Sequence, residues 1–410
     1  MANTYKFIDM VAREALSELH EQCELLSTVD RQYDESYAKT GAKIGDTLRV
    51  RKPNEFNVRT GNAMEINTIT EATQDITMST LKGVDMEFNY VDSLLKTDSP
   101  KDVALFTKRY IKPAISKLLS IVESEALTYY TKATYQLAGT AGTAINSLST
   151  PNLMRAKLNQ MAAPKGDRHV QIDSTSMASL VAGVPSYFNP SAAISKQYTE
   201  GFVTRTAMAD FHENERCWTM ANSSDASQSG EINGGTLTSG ITTLTVDGFS
   251  AAPAVGQVFT IGSGSGETGV YAVHPETKVA YAALKQFVVT SATTTSITFS
   301  PAIIYDTTDP RQNCSGAPAD NADIVFVGSA STSYVQPIMY HKEAFQFVNA
   351  PLEIMDDADK CSVETREGMS LRVWRASDIT NNRRVLRIDM LYGFAALRPE
   401  WAVRGIGAAN

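Results

Sequence analysis

The chain has 410 residues and a mass of 44.5 kDa, which suits two to four domains at about 100–200 residues each. A hydrophobic fraction of 43% and a charged fraction of 20% exclude a wholly disordered protein, a collagen-like fibre and a disulfide-stapled miniprotein. The net charge of −8 argues against a dedicated nucleic-acid-binding protein, whose surface would carry a basic excess.

Cysteine spacing and hydropathy indicate in which cellular compartment the protein is made. Cys23, Cys217, Cys314 and Cys361 lie far apart, so neither a zinc site nor a redox pair is predicted. The N-terminus lacks the pattern of a secretory signal. No apolar run reaches the roughly 18–20 residues that a membrane span needs. We therefore expect a soluble protein made in a reducing cytoplasm, without a membrane segment.

Residues 5–29 predict an amphipathic helix, because apolar residues recur on one side at about 100° per residue. The apolar side consists of Ile8, Val11, Ala15, Leu19 and Leu26. The opposite side is acidic and includes Glu14, Glu18 and Glu21. Two interpretations remain open for the acidic side, namely a solvated face or a docking arm for a basic partner.

Residues 46–52 and 75–91 alternate between apolar and polar side chains, which predicts two strands. They flank a polar stretch with a turn at Thr60-Gly61-Asn62, and together they predict a long hairpin. Such a hairpin is marginal by itself in water, so contact with another subunit is expected. The basic residues suited to inter-subunit ion pairs are Arg49, Arg51, Lys52 and Arg59.

Residues 99–135 carry a strong helical pattern, with apolar residues at spacings of three and four. Ser99 is a candidate cap, and Pro100 suits the first helical position. Pro113 lies inside this range and is expected to kink the helix. Two shorter helices are predicted next, one from Thr150-Pro151 to near Pro164 and one capped by Ser174.

At about residue 222 the composition changes to Ser, Thr, Gly and Val with little helical pattern, as far as residue 333. Regular short strands separated by turn residues predict an antiparallel barrel or sandwich inserted into a parent domain. The predicted strands are 241–246, 257–261, 269–273, 285–290, 295–299 and 323–327. Strands are also predicted near 369–376 and 384–392.

The C-terminal strands contain five arginines, Arg372, Arg375, Arg383, Arg384 and Arg387. The favoured interpretation is pairing with carboxylates within the fold or between subunits. A phosphate-binding strip is the alternative.

No motif predicts catalysis. The Gly262–Gly269 stretch lacks the lysine and the following helix of a phosphate-binding loop, and is interpreted as a turn. The five histidines show no metal-binding spacing, and Asp356, Asp357 and Asp359 lack the rest of a calcium-binding loop. We therefore assign no catalytic, cofactor-binding or metal-binding residue, and expect a protein that is not an enzyme.

Several sequence stretches resemble major capsid (coat) proteins of tailed bacteriophages, in particular the podovirus coat proteins typified by Salmonella phage P22. These stretches are Tyr340–Leu352, Leu386–Gly393 with Arg398-Pro399-Glu400, Gly256–Ile261, Gly269–Lys278 and Leu284–Thr290. They occur in the expected order, and the resemblance extends over nearly the whole chain.

The resemblance implies an α+β fold of the Hong Kong 97 type with an inserted all-β barrel. The implied parts are an N-terminal arm (1–40), the E-loop hairpin with peripheral-domain strands (41–98, the E-loop itself at 50–80), the spine helix of the peripheral domain (99–139), the axial domain (140–221 and 334–370), the inserted barrel (222–333) and C-terminal peripheral-domain strands (371–410).

The implied function is a shell subunit that forms hexamers and pentamers and encloses double-stranded DNA without sequence-specific binding. A portal protein and a separate scaffolding protein are the implied partners, because the chain begins directly with the arm. Glu14, Glu18 and Glu21 are then candidates for scaffold contact. The implied location is the virion, after assembly in the bacterial cytoplasm. The alternatives are an encapsulin-like nanocompartment shell, an α/β enzyme with a β accessory domain, and a tail or baseplate protein.

Overall fold

The computed structural model describes residues 24–32, 47–51, 56, 58, 62, 73–89, 110–183, 205–235, 237–262, 269–355, 360–366, 369–378, 380 and 383–409. The chain divides into two compact units. The first unit draws on residues 1–51, 73–126 and 345–395, and the second on residues 52–72, 127–344 and 396–410.

The helices and strands of the described residues are as follows. The helices are α1 Glu24–Thr28, α2 Lys112–Ala133, α3 Ser149–Gln160 and α4 Ser174–Gly183, with 3-10 turns at Lys342–Ala344 and Pro399–Trp401. The strands are β1 Asp30–Gln32, β2 Thr47–Arg51, β3 Thr73–Thr77, β4 Thr80–Asn89, β5 Leu137–Ala138, β6 Arg168–Ile172, β7 Arg205–Thr206, β8 Ala209–Glu213, β9 Thr219–Ala221, β10 Ser229–Ile232, β11 Ile241–Asp247, β12 Val258–Ile261, β13 Tyr271–Val273, β14 Ala280–Leu284, β15 Phe287–Ala292, β16 Ser296–Ile303, β17 Asp323–Phe326, β18 Ser333–Val335, β19 Ile338–His341, β20 Phe345–Ala350, β21 Lys360–Arg366, β22 Met369–Asp378, β23 Arg383–Ala396 and β24 Ala402–Gly405.

A six-stranded sheet dominates the first unit, with the order β1-β20-β23-β22-β21 and β4 paired to β23. The pairing of β4 with β23 is antiparallel and runs from Arg383 opposite Asn89 to Tyr392 opposite Thr80. The short strand β1 adds to β20 in parallel. Strands near 369–376 and 384–392 are thus confirmed, as β22 and the longer β23.

The second unit contains a six-stranded sheet with the order β5-β24-β19-β6-β8-β7. One face of this sheet packs against α3 and α4. Alternate residues along each strand point to that face. The buried core on this face includes Met154, Leu158, Val170, Ile172, Met177, Leu180, Phe211, Met339 and Val403.

Residues 229–326 contain a closed barrel in the order β10-β11-β16-β15-β12-β17. Phe259, Phe287 and Phe299 pack mutually in its core, with ring centroids 5.2–5.8 Å apart. Each predicted strand in this region is confirmed to within a few residues. Two strands were not predicted, β10 and β14, because neither sequence, Ser229–Ile232 nor Ala280–Leu284, alternates large apolar residues with polar ones.

The helix starts differ in detail from the sequence prediction. Asp173, and not Ser174, caps α4: its Oδ2 accepts the backbone N–H of Ser176 at 2.9 Å, which satisfies one of the unpaired first-turn donors. Pro113 is the second residue of α2. A π-helical turn at Tyr110 and Ile111 precedes it. The predicted cap at Ser99 and the turn within 263–268 lie outside the described residues.

Candidate assembly surfaces and internal fastenings

The base of the predicted hairpin is present in the first unit. Strands β2 and β3 pair antiparallel, from Thr47 opposite Thr77 to Arg51 opposite Thr73. Between these strands, Phe56 is 57% exposed and Val58 is 94% exposed.

The predicted contact residues are only partly placed. Arg49 and Arg51 lie on β2, but their side chains, like Lys52 and Arg59, are outside the described residues. Glu14, Glu18 and Glu21 are outside them as well. Their roles in inter-subunit and scaffold contact remain predictions.

Helix α1, at the described end of the N-terminal segment, is hydrogen-bonded to the long helix α2 within the first unit. Leu25 and Leu26 are fully buried. The backbone N–H of Leu25 donates to Oε1 of Glu123, a buried residue of α2, at 2.7 Å. A carboxylate that accepts a backbone N–H makes a stronger hydrogen bond than a neutral acceptor does, so Glu123 fixes the position of α1 on the long helix.

A second carboxylate of α2, Glu125, contacts the sheet of the first unit. It accepts the hydroxyl of Tyr392 at 2.6 Å and pairs with the ammonium group of Lys82. Burial raises the pKa of Glu125, but the hydrogen bonds from Lys82 and Tyr392 outweigh it and hold the pKa below its usual value. The long helix is therefore tied to both β4 and β23.

Three of the five C-terminal arginines, Arg372, Arg383 and Arg387, pair with carboxylates within the fold, as the favoured interpretation predicted. Arg372 and Asp389 are directly opposed on β22 and β23, with Nη2 2.8 Å from Oδ2. Asp389 is fully buried and also accepts Arg387 Nε at 2.7 Å and Trp374 Nε1 at 3.2 Å. We call Arg372, Trp374, Arg387 and Asp389 the arginine ladder.

Strand β4, the neighbour of β23, has a glycine, Gly83, opposite Asp389. A Cβ on Gly83 of β4 would lie 2.5 Å from Asp389 Oδ1, so a larger residue there would displace the carboxylate. Arg383 pairs with Asp378 at 2.8 Å and with Glu87 of β4 at 3.1 Å. The alternative of a phosphate-binding strip is therefore not supported for Arg372, Arg383 and Arg387, whose charges are already paired.

In the second unit, the barrel is fastened to the sheet at an unpredicted contact, which we call the barrel–sheet junction. It consists of Tyr135, Leu137, Lys157, Trp218, Gly256, Lys285, Gln286, Gln336 and Arg404. Gln286 of the barrel pairs through its side-chain amide with the backbone of Leu137 on β5. Lys157 of α3 donates to Gln286 Oε1 at 2.6 Å and to the Leu137 carbonyl at 2.7 Å.

The junction is rich in cations. Lys285 is 3% exposed and lies over the Tyr135 ring, 4.8 Å from its centroid. Arg404 of β24 is fully buried and donates to the Gly256 carbonyl at 2.9 Å and to Gln336 Oε1 at 2.8 Å. Burial lowers the pKa of Arg404 to about 9. Burial, together with the charge of Lys285, lowers the pKa of Lys157 to about 8.

The chain enters and leaves the barrel along two paired strands. β9 and β18 pair antiparallel, with Tyr334 opposite Met220. The side-chain amide of Asn222 donates to the carbonyls of Val327 and Ser329, both at 3.1 Å. The segments that lead into and out of the barrel are therefore hydrogen-bonded to each other.

The described residues contain no group of three or more His, Cys, Asp or Glu side chains that could hold a metal ion. None of their helices is long and apolar enough to cross a membrane.

The chain resembles several solved structures at low sequence identity. A structure from Mycobacterium phage Che8 is 10% identical, covering 94% of this chain and 91% of its own, with a TM-score of 0.47. The capsid structure of the cyanophage P-SCSP1u is 12% identical over 93% of this chain and 86% of its own, with a TM-score of 0.42. A virus-like particle from Pyrococcus furiosus is 8% identical over 98% and 99%, with a TM-score of 0.40. No curated protein sequence matches the chain.

A protein-family model gives a more specific match. Residues 233–407 match the family described as "P22 coat protein - gene protein 5". The match runs through most of the barrel and through every strand from β11 to β24. Over residues 233–407, this match to the P22 coat protein family confirms the resemblance to coat proteins of tailed bacteriophages that was inferred from the sequence.

Proposed function

We propose that this protein is the major capsid protein of a tailed bacteriophage. It would assemble with a separate scaffolding protein into an icosahedral procapsid and then a mature head around double-stranded DNA. The match of residues 233–407 to the P22 coat protein family carries the proposal. The chain would act by repeated contacts with its own copies, in hexamers and pentamers, and not by catalysis.

The hairpin is the proposed contact with a neighbouring subunit. Strands β2 and β3 pair at its base, and Phe56 and Val58, which lie between these strands in the sequence, are exposed. Covering them against a neighbour would contribute about 25 cal/mol per Å² of apolar surface. Arg49, Arg51, Lys52 and Arg59 would form ion pairs there, which set register and association rate more than affinity.

The acidic face of the N-terminal helix is the proposed dock for the scaffolding protein. Exposed ion pairs contribute about 0–1 kcal/mol each, so many copies and a strong dependence on salt are expected. Replacing Glu14, Glu18 and Glu21 by Gln should release scaffold from purified procapsids. The matched control replaces three exposed glutamates elsewhere, Glu213, Glu231 and Glu276. Equal scaffold retention in both variants would remove this assignment.

The seven-part domain organisation inferred from the resemblance stays part of the proposal. It places the described base β2–β3 in the E-loop hairpin, α2 in the spine helix and the closed barrel of 229–326 in the inserted domain. The portal, the virion location and assembly in the host cytoplasm follow from the proposed role.

The proposed function is tested by expressing the chain in a bacterial host with its neighbouring gene products. Closed shells seen by electron microscopy would support it, and nuclease-protected DNA inside them would identify a genome container. Closed shells that hold a protein cargo would favour an encapsulin-like compartment. Soluble subunits without shells would contradict both.

A further inference from the structure

Two histidines from neighbouring strands lie in direct contact in the sheet of the second unit. His169 on β6 and His212 on β8 approach with Nδ1 3.2 Å from Nε2, and their ring centroids are 5.4 Å apart. The strands are parallel, and Gln171 is the backbone partner of His212, so the two rings meet diagonally. An N–H···N hydrogen bond between them requires an unprotonated acceptor nitrogen on one ring.

The surroundings oppose protonation of the pair. Both rings are half-buried. Burial lowers the pKa of each, and the charge of His212 lowers the pKa of His169 further. Asp210 of β8 acts in the opposite direction on both rings, as Asp167 does on His169, while Lys342 after β19 again lowers the pKa of His169. Tyr340 of β19 lies beside His169, with ring centroids 6.1 Å apart.

We infer that the His169–His212 contact is an acid-sensitive fastening between β6 and β8. While one ring is neutral at its acceptor nitrogen, the hydrogen bond joins the strands. When both rings carry a proton, the bond is lost and two positive charges face each other at close range. β8 is otherwise held by its parallel pairing with β6, from His169 opposite Asp210 to Ile172 opposite Glu213, and by the two-residue strand β7 on its outer side. The expected opening is therefore local.

The direction of the pH effect follows from linkage. Since the folded pKa values lie below the ordinary value of 6.5, the unfolded or locally opened form binds more protons. The stabilisation from the pair is therefore complete above pH 6.5 and declines as the pH falls below it.

Hydrogen exchange, corrected for the intrinsic effect of pH, tests the inference on the full-length chain. Between about pH 7.5 and pH 5, peptides covering 168–172 and 209–213 should open about tenfold more often relative to barrel peptides covering 287–303. The double variant His169→Gln/His212→Gln should lose this change. His274→Asn, at a half-buried histidine that directly follows β13, should keep it. His341, whose pKa burial also lowers, is present in all three proteins.

Two results would overturn the inference. One is an unchanged relative exchange in the wild-type strands between the two pH values. The other is an equal change in the double variant, which would assign the effect to other groups. If the double variant does not fold, the imidazole resonances of the wild type decide: a joint titration in two separate steps below pH 6.5 supports the fastening, and two independent titrations at or above pH 6.5 refute it.

Discussion

Gln286 pairs through its side-chain amide with both backbone groups of Leu137. Its Oε1 accepts the Leu137 N–H at 2.9 Å, and its Nε2 donates to the Leu137 carbonyl at 3.1 Å. Leu137 lies on β5, the edge strand of the six-stranded sheet in the second unit. A side chain of the barrel thus satisfies the Leu137 N–H at the sheet edge and shares the Leu137 carbonyl with Lys157.

Gln286→Ala is expected to weaken the second unit. The substitution removes the partner of Leu137 and one acceptor of Lys157, and a buried polar group left without a partner costs about 1–3 kcal/mol. Urea unfolding of the purified chain measures this. Gln160→Ala is the control, because the Gln160 side chain is exposed at the end of α3. Equal unfolding midpoints for the two variants would contradict the role of Gln286.

Asp389→Asn is expected to destabilise the first unit strongly. The substitution leaves Arg372, which is 5% exposed, with an uncompensated buried charge, and removal of one partner of a buried pair typically costs about 3–5 kcal/mol. Glu87→Gln removes the exposed partner of Arg383 on the adjacent strand and should change stability little. The prediction is wrong if the two variants unfold at the same urea concentration.

Stability should rise with pH above about 8 because of the barrel–sheet junction. The pKa of Lys157 is about 8 in the folded protein against a usual 10.5. Between these values the unfolded chain binds more protons, so raising the pH favours the folded state. The burial-lowered pKa of Lys285 acts in the same direction. Buried Tyr130 and Tyr135, whose pKa values are raised, oppose the effect as tyrosine ionises in the unfolded chain.

Urea midpoints at about pH 8.0, 8.5 and 9.0 measure the effect below the range in which tyrosine ionises. Over this range the buried Cys314 thiol, whose pKa is raised to about 11 by burial, opposes the rise in part. The wild-type midpoint should increase over this range. Lys157→Met should show a smaller increase, whatever its absolute stability, because it no longer releases that proton. A parallel increase in both proteins would assign the pH dependence elsewhere.

Arg59→Glu is expected to slow shell assembly without unfolding the subunit. Reversing a charge in the proposed hairpin contact turns attraction into repulsion during encounter, which acts mainly on the association rate. Light scattering during assembly from purified subunits and scaffold measures the rate. Lys165→Glu, an exposed charge reversal between α3 and β6, is the control. Assembly of Arg59→Glu at the control rate would exclude this contact.

Local structure could be predicted from the sequence where alternating apolar residues are bounded by turn residues. The barrel strands were predicted because apolar residues alternate between turn residues, and each alternating run became one strand. The start of α4 was misassigned by one residue, because Asp173 and Ser174 are both good caps. Only the backbone geometry shows that the carboxylate of Asp173 reaches Ser176.

Contacts between distant elements could not be predicted in the same way. Gln286 and Leu137 are 149 residues apart, and no spacing rule links a barrel loop to a sheet edge. The histidines were judged scattered, yet the parallel pairing of β6 and β8 brings His169 and His212 together. For the arginine ladder, the sequence indicated that carboxylates would pair the arginines, but the partner Asp389 follows only from strand register.

The most direct test of the proposed function is the molar mass of the particles formed when the chain is co-expressed with its neighbouring gene products, measured by size exclusion with light scattering. Self-association into a shell predicts closed particles of megadalton mass whose principal component is this 44.5 kDa chain. A single species at the mass of one chain, under the same conditions and at every concentration tested, would contradict the proposal.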